Sequence, residues 1–85
     1  MNQVLLNRLA RAVLAGRTVT ADDITDGKYV AGGIGNVMRW ADSRGLIEHT
    51  GDMVTRRPGG SIHIWQSTPK GRVWADARLA QRGDL

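Results

Sequence analysis

The chain has 85 residues, 41% of them hydrophobic, which is room for one modest core and leaves none for a second domain of ordinary size. It contains no cysteine, so disulfide staples and thiolate metal sites are both excluded, a composition that suits a reducing interior. A formal charge of +4 and a pI of about 10.7 make a polyanion the natural partner, and no apolar run reaches the roughly 20 residues that a bilayer crossing needs.

At the N-terminus Arg8 and Arg11 interrupt the apolar stretch where a signal peptide needs an unbroken one, so a cytoplasmic chain is expected. Leu5, Leu9, Ala12 and Val13, with Leu6 beside them, recur at helical spacing and predict a first helix, with Asn7, Arg8 and Arg11 elsewhere on its surface. Gly16 ends it. Thr18-Val19 is compatible with a short strand. Thr20, followed three residues later by Asp23, has the capping pattern of a brief second helix that the Asp26-Gly27 turn cuts short.

From about Val30 to Arg44 the helical period returns, with Val30, Ile34, Val37, Met38 and Ala41 inward and Gly32, Gly33, Asn36, Arg39 and Ser43 on the opposite face. Each mid-helix glycine costs roughly 1 kcal/mol against alanine, which moves the expected start of this helix towards Ile34. Gly45 is a helix stop. Leu46 to about His49 and Ser61 to Gln66 read as two strands, with Arg56-Arg57-Pro58-Gly59-Gly60 as a doubly basic turn between them. Thr68-Pro69 then supplies a hydroxyl cap and a proline at the first helical position, opening a last helix from Pro69 to about Gln81 with Val73, Trp74 and Ala77 as its expected core side.

The stretch from Arg44 to Gly71 resembles the equivalent part of MarR-type and related small bacterial or phage winged-helix regulators. The shared features are an RGLI sequence closing a helix, a wing with paired arginines and a TPKG sequence opening the next helix. The short helix at Thr20 to Ile24 also fits, so the likeness covers most of residues 20–75. It implies one α+β winged helix-turn-helix domain: three helices, a two-to-three-stranded β-hairpin wing at about 46–66 and a C-terminal helix. The segment at about 30–44 would be the recognition helix. Two departures limit what carries over. The long flanking helices by which MarR-type proteins dimerise and form a ligand pocket are missing from this sequence, and glycines stand where a recognition helix usually has polar helix formers.

The resemblance implies sequence-specific binding of double-stranded DNA, as a small transcriptional regulator or a phage-type control or excision factor. Asn36 and Arg39, one turn apart, are the expected base contacts, since Asn suits adenine and Arg suits guanine in the major groove. Arg56 and Arg57 are the expected wing contacts, and Arg17, Lys28, Ser43, Arg44, Lys70 and Arg72 the expected phosphate contacts. The bland reading of each is a solvated surface residue. The rival function is a winged-helix module for protein–protein interaction with an incidental basic surface, and RNA binding is a third. A monomer or weak homodimer assembling cooperatively on DNA is expected, without a membrane partner.

Other motifs fail on closer reading. Gly33-Ile34-Gly35 begins a dinucleotide fingerprint, but Met38 stands where its third glycine belongs. His49 and His63 can meet across the hairpin, yet two histidines without further ligands make a poor metal site. The carboxylates Asp22, Asp23 and Asp26 are accounted for by capping and the helix dipole, and Trp40, Trp65 and Trp74 by the core or its margin. With no nucleophile, base and orienting group together, neither an enzyme nor a cofactor is expected.

Overall fold

The computed structural model describes residues 3–25, 33–56 and 60–83. In chain order these form α1 (Gln3–Ala15), β1 (Thr18–Val19), α2 (Ala21–Thr25), α3 (Ile34–Ser43), β2 (Ile47–Arg56), β3 (Gly60–Ser67) and α4 (Pro69–Gly83). The class is α+β, with four helices and one antiparallel sheet of order β1-β3-β2 among the described residues. No helix among them is long and apolar enough to cross a membrane.

α1 is the centre of the helical layer. It buries Leu5, Leu6, Leu9, Ala10 and Val13, a wide arc that follows from having α2, α3 and α4 as neighbours. Asn7, expected on the surface, is buried as well. Its Oδ1 accepts a hydrogen bond from Arg78 Nε of α4 at 2.8 Å, and the same guanidinium donates to Gln3 Oε1, so the buried amide oxygen has a charged partner.

α2 shows the carboxylate half of its expected cap, with the Thr20 backbone carbonyl accepting the return bond in place of its hydroxyl. The Thr20 N–H donates to the Asp23 carboxylate at 2.8 Å, the Asp23 N–H returns to the Thr20 carbonyl at 3.1 Å, and Ile24 is carried into the core. α3 starts at Ile34 with Gly33 at its N-cap, and buries Val37, Met38 and Ala41. Val30, Gly32 and Lys28 lie outside the described residues.

The end of α3 fixes the direction of β2. Gly45 has φ 73°, its N–H donates to the Asp42 carbonyl, and the Leu46 N–H reaches back to the Ala41 carbonyl at 2.9 Å. This is the paired closure that a left-handed glycine permits at a helix end. β2 then runs much further than His49. His49 pairs with Trp65 and Met53 with His63, so three residues of β2 oppose one of β3. Gly51 and Asp52, which weaken the strand pattern in the sequence, are taken up in this bulge, where Thr50 Oγ1 donates to the Ile64 carbonyl at 2.8 Å.

The expected core side of α4 is corrected. Val73 is 70% exposed and Ala77 is exposed, whereas Gly71 and Ala75 are buried with Arg78 and Leu79 half-buried. Positions 71, 75, 78 and 79 form the inward helical stripe, and its two buried positions, Gly71 and Ala75, are small, which lets the start of α4 lie close to the rest of the fold. Trp65 is buried, and Trp40 and Trp74 pack at the core margin.

Candidate nucleic-acid interface

α3 holds its orientation through its buried stripe, which leaves the opposite face to solvent. Helical geometry places Asn36, Arg39 and Ser43 at the middle of that face, with Gly35 and Asp42 on one flank and Trp40 and Arg44 on the other. Asn36 and Arg39 are both exposed. The Arg39 guanidinium lies back along the helix, 3.8 Å from where a Cβ on Gly35 would stand, so the bare backbone at Gly35 and the charge of Arg39 share one patch. Gly33 does something different: a Cβ there would meet Leu5 Cδ1 at 2.9 Å, which makes it a packing residue against α1.

Asp42 also belongs to this face, and a reading of the sequence by its cations alone misses it. It is exposed and stands three residues after Arg39 on the same helix, so a polyanion approaching α3 meets a negative charge on the flank of that face. Ser43 is also constrained, because its hydroxyl donates to the Trp40 carbonyl at 2.8 Å within the same helix.

The hairpin carries the second part of the candidate surface. Gly51, Asp52, Met53, Val54 and Thr55 are all exposed, so the distal half of β2 leaves the body of the molecule. The backbone of Arg56 pairs with Gly60 at the last rung of the ladder. Arg57 lies outside the described residues. Nearer the body, His49 stacks on Trp65 with ring centroids 3.7 Å apart and 30° between planes, and His63 meets His49 edge-on at 5.0 Å. The two histidines do approach each other as expected, as part of an aromatic stack. Among the described residues no group of three or more metal-ligating side chains occurs.

The remaining cations fall into two separate places. Arg17 and Arg72 line one groove of about 840 Å³ together with Glu48, Gln66 and Ser67, and Arg72 donates to Ser67 Oγ at 3.2 Å. Arg44 and Lys70 line another, of about 410 Å³, with Trp40, Leu46, Val73 and Trp74. Arg44 sits 4.9 Å above the Trp40 ring, and Trp40 and Trp74 are 5.7 Å apart between centroids. Nothing local in the sequence joins two tryptophans that lie on different helices.

The junction that holds α3, the hairpin and α4 together is built from the two short motifs. Thr68 Oγ1 donates to the carbonyls of Gly45 at 2.6 Å and Leu46 at 3.1 Å, and accepts from the Gly71 N–H at 2.9 Å. The Thr68 N–H donates to the Leu46 carbonyl at 3.2 Å. One residue therefore caps α4 and clamps the base of the hairpin to the end of α3. No family model, no curated protein and no solved structure matches the chain.

Proposed function

We propose that the chain is a winged helix-turn-helix domain that binds double-stranded DNA, with α3 as the recognition helix and the β2–β3 hairpin as the wing. Its role would be that of a small transcriptional regulator or a phage-type control or excision factor. The observation that carries this reading is the solvent face of α3: Asn36 and Arg39 stand exposed and one turn apart on a helix anchored by its other side. A major groove about 12 Å wide accepts such a helix, and these two side chains match adenine and guanine edges. The element order, with a short β1 pairing with β3 ahead of two helices and a hairpin, supports the same reading. So does the net charge of +4. Arg56 and Arg57 are assigned to the wing contact, and Arg17, Lys28, Ser43, Arg44, Lys70 and Arg72 to the phosphates.

A protein-binding module is the second reading, favoured by Asp42 on the candidate reading face. Selection of bound fragments from a genomic DNA library, with a structured RNA pool in parallel, separates the cases. Enrichment of a shared duplex motif is expected. Binding that is equal on all duplexes would reduce the claim to non-specific association, enrichment of RNA would redirect it, and no retention of either would leave the protein-binding reading.

A further inference from the structure

We propose that the groove between the C-terminal half of α3 and the first turns of α4 is a docking site for an acidic amphipathic segment of a partner protein. The proposal does not depend on the DNA reading; it borders the face centred on Asn36 and Arg39 and uses Arg44 and Lys70, which that reading assigns to phosphates, so a duplex and the partner segment would compete for these two cations. The fold leaves apolar surface here that its own packing does not use. α4 turns Gly71 and Ala75 inward, so Val73 is left 70% exposed beside the half-buried Trp74, and Trp40 meets Trp74 from α3. Leu46 is buried next to them, and the space of about 410 Å³ is of the size that takes one or two apolar anchors from a bound helix.

Charge selects the occupant. Arg44 and Lys70 both line the groove, and no carboxylate is among its lining residues. Arg44 is held over the Trp40 ring, and the Lys70 stem runs past Gly45, with Cδ 4.0 Å from the site of a glycine Cβ, so both cations are placed beside the apolar floor before any ligand arrives. A second copy of the chain would bring Arg44 and Lys70 against equivalent cations on a molecule that is itself at +4, a like-charge pairing. DNA phosphates would satisfy the cations but leave Val73 and the indole edges uncovered. An apolar stripe flanked by Glu or Asp satisfies both.

The test is a titration of the full chain, labelled with 15N, followed through the indole N–H signals of its three tryptophans. The probe is a synthetic helical peptide of about 15 residues with a Leu/Phe stripe flanked by Glu, and the control carries Lys in place of every Glu. The Glu peptide should shift Trp40 and Trp74 and leave Trp65 in place. Val73→Glu, at a position 70% exposed, should leave the rest of the 15N spectrum in place and weaken that binding by about tenfold, and the pair Arg44→Glu with Lys70→Glu should transfer preference to the Lys peptide. The proposal is overturned if neither peptide moves the two indoles, if both move them equally, or if Val73→Glu binds as well as the parent. Shifts that follow protein concentration alone would assign the groove to a second copy, and a short duplex that moves both Trp40 and Trp74 where the Glu peptide moves neither would assign it to nucleic acid; either result overturns the partner-protein proposal.

Discussion

Gly71 shows how much of this fold turns on single positions. A Cβ at residue 71 would fall on the carbonyl oxygen of Leu46 and within 2.8 Å of its carbonyl carbon, and both atoms belong to backbone already bonded to Thr68. Gly71→Ala is therefore expected to cost about 1–3 kcal/mol through overpacking, although alanine is the better helix former. A urea titration measures it, and an unchanged or raised stability would mean that the start of α4 can slide away from Leu46. At the candidate reading face the expectation concerns selectivity. Asn36→Ala or Arg39→Ala should lose about 1–3 kcal/mol on the best duplex site and less on random duplex. Equal losses on both, measured by fluorescence anisotropy, would make these residues phosphate contacts.

Among the elements, those with local signals were legible in the sequence. The Thr20–Asp23 cap, the glycine closure at Gly45, the Thr68-Pro69 start and the inward stripe of α3 all depend on neighbours within a few residues, which is why pattern alone finds them. The inward side of α4 was not legible. Val73 is the more hydrophobic choice, but the helix is positioned by the need for no side chain at Gly71, and that need comes from Leu46, on the far side of the hairpin in the chain. Asn7 was misplaced for the same reason, since its partner Arg78 is on the last helix. In the candidate site the residue types on α3 could be read, whereas Asp42 as a competitor and the Trp40–Trp74 groove needed the assembled structure. The hairpin carries its own expectation: Arg56→Ala with Arg57→Ala should weaken duplex binding across many sequences and lower the slope of log affinity against log salt by roughly one for each phosphate no longer neutralised. If slope and affinity both stay put, the nucleic-acid surface excludes the wing.

For the molecule as a whole, the proposed DNA binding makes size bear on assembly. Its principal extents are 39 × 23 × 20 Å, so one copy laid along a duplex covers about one helical turn of roughly 34–36 Å. A module of this kind buries about 600–1,000 Å² on DNA, usually too little for tight specific binding by a single copy. The expected behaviour is a monomer or weak dimer in solution that occupies paired half-sites cooperatively. Sedimentation of the free protein, with footprints on one and two half-sites, checks it; a tight dimer without DNA or full affinity for one half-site would refute it.

The bulge at residues 50–52 has a colloidal consequence. In the order β1-β3-β2 the ten-residue β2 is an edge strand, and an unbroken edge of that length is a template onto which a strand of another molecule can add. The extra residues opposite Ile64 split that template into two shorter pieces, Ile47–His49 and Met53–Arg56, which interrupts the continuous edge a neighbour would pair along. Deleting Gly51 and Asp52, which would restore one-to-one pairing, should give a chain that develops thioflavin-positive aggregates sooner than the parent at equal concentration. The interruption in the ladder would then act as a guard against strand addition at the exposed edge of the hairpin.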